Sequence, residues 1–153
     1  ASSQVMANWD PTTLTRRRPV GLAENSAVPG GIDFVRDVQP ILDRKCVACH
    51  GKASTLDLTG APQLQYTRSY INLHQLDDPA SRNYANKRWV NEREGLAIKS
   101  HLIELVMGVE LNAPRTLSRP GIKHPESDPL SESELLTLIR WIDLGATFRG
   151  GRQ

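Results

Sequence analysis

Large side chains are scarce in this chain of 153 residues: two Phe, three Tyr and three Trp make up 5%. A core built from so few rings is small, and a bulky apolar group held inside it would make up the shortfall. Long hydrophobic runs are missing as well. No stretch approaches the eighteen or so apolar residues that a membrane-spanning helix needs, so no transmembrane segment is expected. Charge of one sign is also lacking. Nineteen Lys and Arg against seventeen Asp and Glu leave +2, too little to point to nucleic acid or an anionic membrane. The one cationic cluster, Arg16-Arg17-Arg18, precedes a proline in a polar segment and reads as a solvated face. Asp77-Asp78 reads as a turn before Pro79, and Glu92, Arg93 and Glu94 as a surface loop. Neither a Ser-His-Asp arrangement nor a phosphate-cradling glycine loop stands out.

What is present falls into a single domain by length. Residues 1–31 carry Pro11, Pro19, Pro29, Gly21, Gly30 and Gly31 without a sustained period, which predicts an irregular N-terminal arm or linker. The domain proper is expected over 32–153. Within it, Phe34, Val38, Ile41 and Leu42 fall at helical spacing behind Asp33, a natural N-cap, and Pro40 must open a turn or kink the segment. A short helix is expected near Tyr66–Leu76. Another is expected at about Lys99–Met107, with Leu102, Ile103, Val106 and Met107 on one side and Gly108 as its stop. Pro114, Pro120, Pro125 and Pro129 mark a long loop. Ser131 with Glu134 three residues on forms a capping box for the last helix, whose apolar face is Leu135, Leu138, Ile139 and Ile142, with Gly145 at its C-terminal cap. The pattern is mainly α: three or four short helices joined by long loops.

Both cysteines lie in "KCVACHG", Lys45 to Gly51, followed at once by a histidine. A disulfide between Cys46 and Cys49 would close a tiny loop. A thioredoxin-like dithiol needs a βαβ setting that the pattern lacks, and a structural zinc site needs two further ligands. Covalent haem attachment needs nothing more: the two thiols add to the haem vinyl groups and His50 turns beneath the porphyrin as the proximal iron ligand. One covalently bound haem c is therefore expected on Cys46, Cys49 and His50.

For the distal side of the iron the chain offers His74, His101, His124, Met107 and Met6. His74 has a spacing that suits a helix surface, and His101 reads as a solvent-facing first-turn residue. Met107 reads as core, and Met6 lies in the arm. His124 stands in a proline-rich loop, with Pro125 holding it off any helix.

From about Phe34 to Phe148 the chain resembles the single-haem, class I-like cytochrome c domains of bacterial extracytoplasmic proteins. The resemblance rests on Val38, Pro40, Ile41 and Leu42, then Cys46, Cys49, His50 and Gly51, and at the other end on Leu130, Ser131, Glu134, Trp141, Ile142, Asp143, Gly145 and Ala146. The middle, roughly 56–121, matches loosely. Many relatives carry Met-Pro before the last helix; here His124-Pro125 stands at that place. The resemblance thus implies a small cytochrome c-like fold around one haem, with bis-histidine ligation by His50 and His124. It also implies that the first and last helices cross, bringing Phe34 or Val38 to Leu138, Ile139 or Ile142, with Trp141 near a haem propionate. Function follows as an expectation. The chain is an electron-transfer cytochrome, or a cytochrome domain of a larger redox complex, with redox proteins or other cytochrome subunits as partners and a potential below that of Met/His relatives. Two alternatives stand beside it. One is a haem domain with an open distal site in a catalytic multihaem enzyme, since the same domain type resembles parts of hydrazine-synthase-like subunits. The other is a small-ligand sensor. Thioether attachment, with the small polar start "ASSQ", implies a periplasmic or other extracytoplasmic place.

Overall fold

The computed structural model describes residues 31–75, 89–91, 94–112 and 117–150. The expected arm, with Met6 and the arginine cluster, lies outside them, as do Asp77-Asp78, Glu92 and Arg93. Four α-helices are found among the described residues. A π-helical turn at Phe34–Val38 runs into α1 (Gln39–Lys45); α2 is Arg68–His74, α3 His101–Met107 and α4 Glu132–Asp143. The mainly α expectation holds. The only strands among the described residues, β1 (Pro62–Gln63) and β2 (Tyr66–Thr67), pair antiparallel in a two-residue hairpin, Pro62 opposite Thr67 and Gln63 opposite Tyr66. No sequence signal announced them, because Leu64 occupies the left-handed turn position usually held by Gly or Asn.

The predicted caps appear as side-chain bonds. Asp33 accepts from the Arg36 amide, and its own amide donates to Asp37. Ser131 and Glu134 close the capping box of α4. Thr67 caps α2, which therefore starts two residues later than the apolar spacing suggested. Pro40 sits in the first turn of α1, and the wider π turn stands just upstream, where the regular ladder would have needed the amide that proline lacks.

These helices meet in one core. The π turn packs on α4, as the expected crossing of first and last helices requires: Phe34 lies 5.2 Å from the Trp141 ring centre and 5.1 Å from Tyr70. Val38, Leu138 and Ile142 are buried in the same cluster. Trp141 belongs wholly to this cluster and donates its indole N–H to the Thr147 carbonyl. It is not among the residues that line the cavity described below; its ring packs against Phe34 and Tyr70. Tyr70 Oη and the His74 ring both bond the Ala146 carbonyl, fastening α2 to the chain that leaves α4. None of the helices of the described residues is long and apolar enough to cross a membrane.

Candidate functional site

The Cys46–His50 segment continues α1 by one more turn. The amide of Cys46 donates to Leu42, that of Cys49 to Cys46 (3.1 Å), and that of His50 to Cys46 (2.8 Å). Residues three and four apart share a helical face, so Cys46, Cys49 and His50 are gathered on one side. Downstream, the Leu58 amide donates to the His50 carbonyl (2.8 Å), and Gln39 Nε2 donates to the Leu58 carbonyl (3.2 Å). The 56–58 segment is thereby hooked alongside the histidine.

A cavity of about 230 Å³ opens in front of His50. Cys46 and His50 form one wall, and His124 stands on the other side. Between them the lining is aliphatic, from Leu56, Leu58 and Leu73 to Leu102, Leu105 and Val106, with Trp89 at its edge. The His50 and His124 ring centres lie 5.9 Å apart, their planes at 69°. His50 is half-buried and its Nδ1 is shielded from solvent without a hydrogen-bond partner. His124 is exposed. Cys46 lies mostly buried against apolar neighbours, and this burial pushes its thiol up to about 11, with the Glu134 carboxylate adding to the rise. A thiol so raised is a poor thiolate at neutral pH, which argues against a dithiol redox couple, whose attacking cysteine has a depressed value. Cys49 is exposed beside it.

His124 reaches this position through α3. Gly108 ends the helix in a left-handed conformation, φ 68°. The loop at 121–124 then folds back against that helix end: the Gly121 amide donates to the Gly108 carbonyl (2.7 Å) and the His124 amide to that of Leu105 (3.0 Å). The contact is so close that only a glycine fits, as a Cβ at 108 would lie 2.6 Å from the Ile122 carbonyl carbon. Beneath, Glu104 is 1% exposed. Its Oε1 accepts from the amides of Leu111 and Asn112 and from Asn112 Nδ2, and its Oε2 lies 3.1 Å from His101 Nδ1.

The structure sorts the other candidates for the distal side. His74, expected on a helix surface, is buried, with Nδ1 at the Tyr70 carbonyl (3.0 Å) and Nε2 at that of Ala146 (3.1 Å), so both nitrogens are engaged. His101, expected to face solvent, turns inward to Glu104 and packs 5.2 Å from Trp89, because a buried carboxylate needs a partner. Met107 packs against the core and does not line the cavity. Of the candidates within the described residues, His124 alone lies beside the His50 ring. Among the described residues no group of three or more His, Cys, Asp and Glu is arranged to hold a metal ion, so the zinc alternative finds no ligand set there.

Sequence reasoning did not single out the cavity walls, Gly108 as a docking point or Glu104. Leu56 and Leu58 alternate as a half-buried strand does, and Leu102, Leu105 and Val106 share a helical face. Those periods were available, but they do not say which cavity a face lines.

The chemistry of the lining suits a porphyrin: one thiol, Cys46, and two imidazoles, His50 and His124, around an otherwise largely aliphatic space, with the Cys49 thiol exposed three residues on from Cys46. A metal held in line between two imidazoles at about 2.0 Å per bond separates the ring centres by roughly 6 Å, so the His50–His124 spacing admits one metal ion.

No family model matches the chain. It is 35% identical over 127 residues to hydrazine synthase subunit alpha of Kuenenia stuttgartiensis, an alignment that takes in 75% of this chain and 15% of that protein. A solved structure of Kuenenia stuttgartiensis hydrazine synthase superposes with a TM-score of 0.57 at 28% identity, over 80% of this chain and 16% of that one. The chain thus spans about a sixth of the length of the relatives it matches.

Proposed function

We propose that this chain is a haem c domain of a hydrazine-synthase-type subunit, with Cys46 and Cys49 as the covalent attachment points, His50 as the proximal iron ligand and His124 as the distal one. The observation that carries the reading is the pair of imidazoles facing each other 5.9 Å apart across an apolar cavity that also exposes the Cys46 side chain. Similarity to a stretch of a much larger enzyme favours a domain within that enzyme over a free-standing electron carrier. Its partners are then other parts of the same enzyme, and its compartment is extracytoplasmic, where thioether attachment takes place.

Haem c bound here supplies a one-electron ferric/ferrous couple. The residues divide the remaining tasks. Cys46 and Cys49 anchor the ring to the end of α1. His50, whose Nδ1 is shielded from solvent, would hold the iron through its other ring nitrogen. The leucines keep water out of the cavity, which lowers the local dielectric. His124, tied by its amide to Leu105, would supply the second imidazole ligand. In place of a thioether, an imidazole lowers the reduction potential.

A visible and EPR spectrum of the protein matured with haem tests the reading, with mass spectrometry for the covalent adduct. A low-spin ferric spectrum that turns high-spin in His124→Ala, with the adduct mass kept, is expected. A chain whose pigment is stripped by acid–acetone would overturn the attachment. A low-spin spectrum unchanged in His124→Ala would overturn the distal ligand alone. A wild-type protein that is already high-spin and binds CO at once would instead favour the open-site alternative.

A further inference from the structure

A second cavity lies apart from the one between the histidines. It is an open groove of about 600 Å³ between the segment 31–44 and α4. Three arginines enter it from two elements: Arg36 and Arg44 from the first, Arg140 from α4. The floor between them is apolar, with Ile32, Pro40 and Leu144, and Leu144 is 65% exposed, unusual for so large a side chain. Arg36 is held by Asp37 and the Gly31 carbonyl. Arg44 spends one nitrogen on Glu134 at 3.0 Å, and its side chain is otherwise 58% exposed. The Arg140 side chain has no hydrogen bond or ion pair among the described residues. One carboxylate, Asp37, lines the groove against three guanidinium groups.

We infer that this groove docks an acidic segment of a partner polypeptide, carboxylates on Arg140 and Arg44 and an aliphatic side chain on Leu144. Guanidinium forks pair carboxylates in two parallel bonds, and arginine is enriched at the centres of protein interfaces. The volume accommodates a few side chains. Charge decides among occupants. The chain's own residues 1–30 carry Arg16, Arg17 and Arg18 against Asp10 and Glu24, so the arm has the wrong sign. A second copy docked groove to groove would set arginines against arginines. Arg44, which lines the groove, lies two residues before Cys46 at the end of α1, so a partner seated there engages the helix that carries the proposed haem attachment. That link to electron exchange rests on the haem reading; the docking itself does not.

The test is fluorescence anisotropy of a fluorescein-labelled peptide, Asp-Leu-Glu-Leu-Asp-Glu, with the full chain at low salt. Saturable binding that weakens at least tenfold in Arg140→Glu, and falls in 0.5 M salt, is expected, with far-UV circular dichroism unchanged (about 0.5 M lies well past the screening range for exposed charges). Arg140→Gln stands in if the charge reversal unfolds the chain, and Leu144→Ser should weaken binding severalfold. Absence of saturable binding, or equal binding by wild type and the Arg140 variant, overturns the proposal. So does binding that appears only after Arg16, Arg17 and Arg18 are replaced by Ser, which makes the arm the occupant. Self-association that Arg140→Glu abolishes overturns it in favour of a second copy. These readouts are the same with or without haem.

Discussion

Gly108 and Ile122 touch backbone to backbone: a Cβ on Gly108 would lie 2.6 Å from the Ile122 carbonyl carbon and 2.8 Å from its oxygen. The chain returns to the end of α3 at this point, and His124 lies two residues beyond Ile122.

Gly108→Ala must therefore do two things. A non-glycine residue at φ 68° is strained by about 1 kcal/mol or more, and the clash with rigid backbone adds to it, so a loss of about 2 kcal/mol or more is expected in urea unfolding. The displaced loop carries His124 with it. In the haem-loaded protein the ferric spectrum should gain a high-spin component. A variant as stable and as low-spin as wild type would deny Gly108 this role.

The two thiols should react unequally in the haem-free chain. The thiolate is the nucleophile, and with a value near 11 only about one Cys46 in a thousand is ionised at pH 8. Cys49 is exposed. Iodoacetamide at pH 8 followed by peptide mapping should find Cys49 modified first and Cys46 slow, with Cys46 catching up as the pH nears 11. Equal rates at pH 8 would contradict the burial of Cys46.

Glu104 gathers the turn after α3 onto one carboxylate. Glu104→Ala would leave the Leu111 and Asn112 amides without their acceptor, and a cost of about 2–4 kcal/mol is expected from equilibrium unfolding. Glu104→Gln keeps one carbonyl oxygen for those amides and should recover part of it. His101→Ala tests the other oxygen. Its loss should affect stability and leave the ferric spectrum low-spin, since His101 faces Glu104 and not the cavity.

Acid should weaken the N-terminal end of the first helical segment. The hydrogen bond from the Arg36 guanidinium holds the Asp37 carboxyl below its ordinary value; burial opposes this, and the Asp33 amide adds to the lowering. A carboxyl whose folded value is depressed contributes stability that is present above its unfolded value, about pH 4, and is lost as pH falls through the folded one. Asp37→Asn should lower stability at pH 7 slightly and flatten the decline between about pH 5 and 2. The Arg36 side chain is 55% exposed, and solvent screening on that side keeps the effect small. An unchanged pH profile would remove Asp37 from the account.

Local chemistry was legible from residues alone wherever neighbours in sequence supply both partners. Asp33 and Ser131 each cap a helix by reaching an amide three residues on, and Cys46, Cys49 and His50 share one turn; the Thr67 cap of α2 was not read from the sequence. The hairpin at 62–67 escaped notice because its turn uses Leu64 where glycine or asparagine is the usual signal. His74 and His101 were misjudged for one reason: each lies at a position whose spacing allows a surface face, and each is drawn inward by a partner, Ala146 or Glu104. Ala146 is far away in sequence. Glu104 is near, but nothing local said that it would be buried.

By itself, the order of residues determined the thiol–thiol–imidazole turn, the mainly α content and the capped last helix, because hydrogen bonds and periodicity act over three or four positions. Which imidazole stands opposite His50 was decided only by tertiary structure. That choice depends on 73 residues of intervening chain bringing the segment at Ile122 back onto Gly108, a contact between backbones that no side-chain pattern encodes.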